Sequence, residues 1–176
     1  MDFNKHCLEL IIRMSIILDL EPISDDMNFM HFRCGNGIID NEIATNAFFY
    51  NLSCEARSFA ILLQERIIGC AIIGITTIEA QVDENVRSYY AIEIRTLAII
   101  KEEQRKGYGS TILDGLIARA RDCAEFCGCR YVILTAVPEM VQWYERRGFS
   151  FFPYKKQNKM YIDFRNEIAY NDYADQ

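Results

Sequence analysis

Histidine and proline are scarce in this sequence: only His6 and His31 are present, and there are three prolines in all. Two histidines leave the close cluster Cys123, Cys127 and Cys129 without the partners of a four-ligand zinc set, and no second CxxC pair supplies them. The three cysteines are expected instead to act as small buried apolar side chains at a helix end and a strand start. No Pro/Gly-rich linker, internal repeat or low-complexity tract interrupts the chain, which favours one domain over residues 1–176. Positive charge is in deficit, with 19 Lys and Arg against 25 Asp and Glu. The resulting net charge of −6 weakens any function that needs broad attraction to a phosphate backbone or an anionic membrane. Long hydrophobic runs are missing too. The stretch CLELIIRMSIILDL is broken by Glu9, Arg13 and Asp19, and so reads neither as a secretory core nor as a span. Seven cysteines without secretory features point to a reducing cytoplasm.

The apolar fraction of 51% is enough for a full core, and its periodicity sets out the elements. Ser15 to Leu20 reads as a first strand and Glu21 to Met30 as a polar connection. CGNGIIDNEIATNAFFYNL has helical spacing after a glycine-rich entry. SFAILLQ and IIGCAIIGITTIE form an expected hairpin about a turn at Glu65 and Arg66, and SYYAIEIRTLAII is a longer strand. Ile112, Leu113, Leu116, Ile117, Ala120, Ala124 and Cys127 share one face of a strong helix that Gly128 is placed to stop. RYVILTAV is a nearly continuous apolar strand, as expected where both faces are covered. PEMVQWYERRGF opens on a proline and closes on a glycine, as a short helix does. SFFPYKK and KMYIDF read as a last antiparallel pair, and NEIAYNDYADQ as an acidic tail. The order predicts an α/β (α+β) fold, one mixed sheet with flanking helices.

The segment EEQRKGYGSTIL lies between the long strand and the strong helix. Gly107 and Gly109 remove side chains there and expose peptide N–H groups at the positive end of a helix, the physical requirement of a pyrophosphate site. Arg105 and Lys106 add charge, and Ser110 and Thr111 are placed to cap the helix or touch a ligand. The same residues also suit an ordinary tight turn. There is no GxxxxGK[ST], and GxGxxG is incomplete. Glu93 stands in the strand fourteen residues before Gly107, where a carboxylate needs a cavity or a partner such as Arg95. Tyr144 lies in WYERRGF, either facing the same space or packing beside Trp143.

These residues carry a resemblance. EIRTLAIIKEEQRKGYGSTIL resembles the acetyl-CoA motif of the GCN5-related N-acetyltransferase (GNAT) superfamily, Q/R-x-x-G-x-G/A, here Gln104, Gly107 and Gly109. WYERRGF is similar to the superfamily's next motif, with Tyr144 four residues before Gly148 and Phe149. The resemblance implies a GNAT-like, mostly antiparallel sheet, with an acetyl-CoA core about 90–152, an acceptor-shaping part about 1–60 and a tail at 165–176. It implies pairing of the pantetheine arm with Leu97, Ala98 and Ile99, and pyrophosphate binding along Gln104, Arg105, Lys106, Gly107, Tyr108, Gly109, Ser110 and Thr111, with no metal. The Ile99 N–H would polarise the thioester carbonyl. Glu93 would be the general base and Tyr144 the acid for the departing thiolate. One departure is AVPEMVQ, which lacks an asparagine many members place there, leaving Gln142 as a possible substitute.

Transfer to a small-molecule or peptide amine is the first expectation. FRCGNGIIDNEIATNA, through Phe32, Cys34, Gly35, Asp40 and Ala47, is similar to acetyltransferases related to the toxins of bacterial toxin–antitoxin pairs, which act on aminoacyl-tRNA. That alternative asks for cations around the cleft, such as Arg33, Arg87, Arg95, Lys155, Lys156 and Lys159. The same stretch also reads simply as a capped helix. A third alternative is a silent acyl-CoA-binding domain, with Tyr144 turned away. No membrane partner is expected, and exposed strand edges near the C-terminus allow a homodimer.

Overall fold

A computed structural model describes residues 18–82, 85–152 and 158–165. The elements are β1 (Leu18–Pro22), α1 (Gly37–Ser53), β2 (Arg57–Leu63), β3 (Arg66–Val82), β4 (Asn85–Ile99), α2 (Tyr108–Cys127), β5 (Tyr131–Thr135), α3 (Val141–Glu145), β6 (Ser150–Phe151) and β7 (Lys159–Asp163). Short 3-10 turns at Lys101–Glu103 and Pro138–Met140 precede α2 and α3. The strands form one sheet in the order β1-β2-β3-β4-β5-β7-β6, antiparallel except where β4 meets β5. This is the mixed, mostly antiparallel sheet expected from the sequence.

The first strand begins at Leu18 and runs through Glu21 and Pro22, residues expected in the connection. Ser15 to Ile17 lie outside the described residues, as do 153–157 of SFFPYKK and the acidic tail 166–176. The hairpin turn falls at Gln64 and Glu65, both at positive φ, and Arg66 already belongs to β3. The expectation of three buried cysteines fails at two positions. Cys129 is buried, but Cys123 and Cys127 are exposed, because they line a cavity left open between the far half of α2 and the sheet.

Each face of the sheet has its own core. Ile92, Ile94 and Ile99 of β4 pack with Val132 and Leu134 of β5 against Ile112, Leu113, Leu116 and Ala120 of α2. On the other face Ala60, Leu62, Cys70, Ile72 and Ala98 pack against Ile43 and Ala47 of α1. Alternation along β4 divides its side chains between these cores.

Both ends of α1 are tied down by polar side chains. Asn36 caps it, accepting from the Ile38 and Ile39 N–H groups at 3.1 and 3.3 Å, and the buried Asp40 accepts from the Cys34 N–H at 2.7 Å. At the far end Asn51 donates to the carbonyls of Ile23 and Ser58 at 3.0 and 2.9 Å and accepts from the Ser58 N–H at 2.7 Å. Asn51→Ala removes all three bonds and strands backbone groups in a partly buried place. It is expected to cost about 1–3 kcal/mol, measured by denaturant unfolding with an unchanged m value.

Candidate active site

The site is built on the point where β4 and β5 part. They pair in parallel from Ala91 opposite Tyr131 to Ile94 opposite Leu134, and no pairing between them continues beyond Ile94. β4 runs on to Ile99 bonded to β3 alone. The Ile100 N–H donates to the Ile68 carbonyl at 2.8 Å, which fixes which residues face β3. Strand alternation then turns the peptide groups of Ala98 toward β3, and those of Leu97 and Ile99 toward the gap. Of the three residues expected to pair with a pantetheine arm, Leu97 and Ile99 present their backbone to the open edge. Ala98 does not, because its bonds belong to the sheet.

The loop after β4 supplies donors at the end of this gap. Gly107 has φ of 93°, a conformation that favours glycine, and forms the N-cap of α2 without any side-chain capping bond. The N–H groups of Arg105, Lys106, Gly107, Tyr108 and Gly109 find no acceptor among the described residues. Ser110 departs from expectation, since its N–H is bonded to the Gly107 carbonyl at 3.0 Å. Five consecutive unpaired N–H groups at the start of a twenty-residue helix make an anion cradle. The cradle fits a pyrophosphate, and the free strand edge beside it fits an extended amide-bearing arm.

Side chains around the loop hold it in place more than they reach into it. Gln104 donates its amide to the carbonyls of Cys34 and Ile99 at 2.6 and 2.9 Å, bracing the loop against the entry to α1. Lys106 donates to the buried Glu103 at 2.8 Å, and Arg66 bonds the other oxygen of the same carboxylate. Neither Gln104 nor Lys106 therefore points a free head group at a phosphate. Tyr108 packs on the α2-side core, leaving only its backbone for a ligand. Thr111 donates weakly back to the Gly107 carbonyl at 3.4 Å. Arg105 is exposed at positive φ.

Sequence reasoning missed Arg147. It donates to Ser110 Oγ at 2.5 Å and to the Trp143 carbonyl at 2.9 Å, and its guanidinium lies 4.0 Å from the centre of the Trp143 ring. The ring itself approaches Gly109, where a β-carbon would stand 4.0 Å from Trp143 and 3.9 Å from Ile99. Arg147 thus brings a fixed positive charge from α3 to the start of α2. The only sign in the sequence was the RRGF segment, which gives no indication of which arginine turns inward.

Tyr144 sits on α3 between Trp143 and Phe149, with ring centroids 4.8 and 5.6 Å away. The expected packing is present, and the hydroxyl has no hydrogen-bond partner among the described residues. Burial pushes the phenol up to about 12, with Arg147 pulling weakly the other way. Glu93 lies in the paired part of β4, opposite Gly74 of β3 and Ile133 of β5, immediately before the strands part. Its carboxylate is partly exposed and 3.5 Å from Arg95 Nε, so the expected pairing with Arg95 is present. Gln142 is exposed and makes no side-chain bond among the described residues. A separate, mainly apolar cavity of about 520 Å³ lies between β3 and the far half of α2, lined by Ile73, Ile94, Leu116, Cys123 and Cys127. It includes neither Tyr144 nor the loop.

This geometry agrees with what comparison finds. The model of the acetyltransferase (GNAT) family matches residues 28–149, and the chain belongs to that family. Its cosubstrate is accordingly acetyl-CoA. The fold is similar to that of AtaT complexed with acetyl-methionyl-tRNAfMet, with a TM-score of 0.76 at 14% identity over 89% of this chain and 99% of the other. It is also similar to AtaTR bound with acetyl-CoA, with a TM-score of 0.75 at 16% identity over 87% and 98%. The KacTA–DNA complex gives a TM-score of 0.72 at 18% identity over 89% and 99%. Among curated proteins none matches. No helix among the described residues is long and apolar enough to cross a membrane.

The Glu103 cluster yields a test of the loop's support. Hydrogen bonds from Lys106 first and Arg66 second hold the Glu103 carboxyl below the ordinary glutamate value of 4.5. A depressed carboxylate stabilises the fold above its unfolded value and loses that contribution as pH falls through the folded one. Glu103→Gln is therefore expected to lower the thermal midpoint at pH 7. The gap to wild type should close as both are acidified below about pH 4.5, followed by circular dichroism.

Proposed function

We propose that the chain is an N-acetyltransferase that moves the acetyl group of acetyl-CoA to a primary amine by direct attack within a ternary complex. The observation that carries this reading is the run of unpaired N–H groups from Arg105 to Gly109 at the mouth of the parted strands. Acetyl-CoA supplies an acetyl group activated as a thioester, and the chain supplies position and proton management. The cradle fixes one end of the cosubstrate, while the free edge at Leu97 and Ile99 aligns the arm. The Ile99 N–H, turned toward the gap, is the donor that would polarise the thioester carbonyl.

Glu93 takes a proton from the acceptor ammonium, directly or through water, and the neutral amine then attacks the thioester carbon. Tyr144 gives a proton to the departing thiolate. Its raised value keeps the phenol protonated through neutral and moderately alkaline pH, so turnover is expected to show no alkaline loss from this group below about pH 11. Among the described residues no cysteine belongs to the parted ends of β4 and β5 or to the Arg105–Gly109 loop, and direct transfer is preferred over a covalent route. The protein is read as cytoplasmic.

The acceptor is first read as a small-molecule or peptide amine, in keeping with the net charge of −6. A second reading, the aminoacyl end of charged tRNA, is favoured by the likeness to AtaT complexed with acetyl-methionyl-tRNAfMet. In its support, exposed Arg33, Lys101 and Arg105 share the loop rim, with the Lys101 N–H bonded to the Arg33 carbonyl at 2.9 Å. Of the other cations expected around the cleft, Arg87 is exposed and Arg95 is engaged with Glu93. Lys155 and Lys156 lie outside the described residues.

Thiol release from acetyl-CoA with methionyl-tRNA, a lysine-bearing peptide and a panel of small amines decides between the acceptors. Release with the tRNA alone would reject the first reading; release with the peptide or small amines alone would reject the second. Tyr144→Phe is expected to lower kcat by about 10- to 1000-fold while leaving acetyl-CoA affinity within about twofold, and an unchanged kcat would remove Tyr144 from the acid role. Glu93→Gln is expected to lose most activity at low pH and to recover as the amine loses its proton unaided. A constant ratio to wild type across the pH range would reject the base role.

A further inference from the structure

On the acceptor side of the sheet a line of contacts joins Glu93 to α1, and the transfer steps above do not use it. The register between β3 and β4 slips between Ile72 and Ile73, so that β4 carries one extra residue, Arg95, between Ile94 and Thr96. A bulge of this kind re-aims a side chain. It places the Arg95 guanidinium over Gly74, the residue paired with Glu93 in β3. A β-carbon at Gly74 would lie 2.8 Å from Arg95 Nε and 3.0 Å from Cζ, a contact that no other residue type would permit without moving the arginine.

Arg95 Nε is 3.5 Å from Glu93 Oε2, and its guanidinium carbon stands 5.6 Å from the centre of the Tyr50 ring. Tyr50 donates its hydroxyl to Glu42 at 2.5 Å, and Asn46 donates to the second Glu42 oxygen at 3.1 Å. The hydrogen bond to Glu42, with burial, raises the Tyr50 phenol above its ordinary value, so that it remains a neutral donor. The guanidinium is therefore bounded by the Gly74 notch on one side and the anchored Tyr50 ring on the other.

We infer that Arg95 is a positioning residue for the acceptor half-reaction: lodged in the Gly74 notch and covered by Tyr50, it fixes the Glu93 carboxylate where the strands part. The inference rests on reading Glu93 as the base. A partly exposed glutamate has several rotamers open to it, and a planar, permanently charged partner held on both sides removes most of them. Proton transfer depends steeply on such placement.

The test is steady-state kinetics of the full chain with acetyl-CoA, using methionyl-tRNA, a lysine-bearing peptide and the panel of small amines in parallel as acceptors. Arg95→Ala is expected to lower kcat about tenfold with KM for acetyl-CoA unchanged, and Arg95→Lys to retain part of the rate. Gly74→Ala keeps every charge and displaces the guanidinium, and is expected to lower kcat in the same way. In a Glu93→Gln background neither Arg95→Ala nor Gly74→Ala should cause further loss, a non-additivity that a merely structural role would not produce. If Gly74→Ala does not fold, the two Arg95 variants complete the cycle.

Slow turnover by Glu93→Gln together with wild-type turnover by Arg95→Ala would overturn the positioning role alone. The same holds if the losses from Glu93→Gln and Arg95→Ala simply multiply. Unchanged turnover by Glu93→Gln would overturn the base reading and this inference with it, as would the absence of turnover on the tRNA, the peptide and the panel of small amines alike.

Discussion

Everything in the site depends on the failure of β4 and β5 to pair beyond Ile94 and Leu134. A strand with one edge unpaired inside a sheet is normally a liability, because its N–H and C=O groups must find partners. Here the free edge is short, at Leu97 and the Ile99 N–H, the Ile99 carbonyl being taken by Gln104, and it leads directly into a loop whose own N–H groups are unpaired. The two sets of donors lie in sequence along one path, so an elongated ligand with amides at one end and a pyrophosphate at the other satisfies both.

The surroundings serve to keep that path open. Gln104 ties the loop to Cys34 and so to the capped start of α1, and Glu103 bridges Lys106 and Arg66 beneath it. Arg147 reaches across from α3 to Ser110 and keeps the two walls of the gap in register. Stability is spent on rigidity around donors that are themselves left unpaired, as preorganised sites require. The acceptor side repeats the pattern, with α1 anchoring Tyr50 and Tyr50 covering Arg95.

Most of the fold was legible in the sequence because hydrophobic period and glycine placement agree. The α2 face, the stop at Gly128 and the apolar β5 were all readable from residue spacing. Boundaries slipped where the local signal was weak, as at Pro22, which a strand edge tolerates, and burial was misread at Cys123 and Cys127, which line an open cavity beside the sheet. The glycine turn opening α2 was legible, but the partners of its side chains were not. Gln104 bonds a carbonyl seventy residues away and Arg147 a hydroxyl thirty-seven residues away, and no local pattern predicts either contact. The backbone direction at Ala98 was hidden for a similar reason, since it depends on the register with β3. The bulge that turns Arg95 is marked in the sequence only by a slip of apolar phase, from Ile92 and Ile94 to Leu97 and Ile99.

The most direct test of this account is an NMR measurement of backbone amides in the full chain with and without acetyl-CoA. The account predicts that the amides of Arg105 to Gly109, with Leu97 and Ile99, shift and gain protection from exchange, while Ala98, already bonded to β3, changes little. Saturating acetyl-CoA that leaves the Arg105 to Gly109 amides unchanged, or protects a different surface, would contradict it.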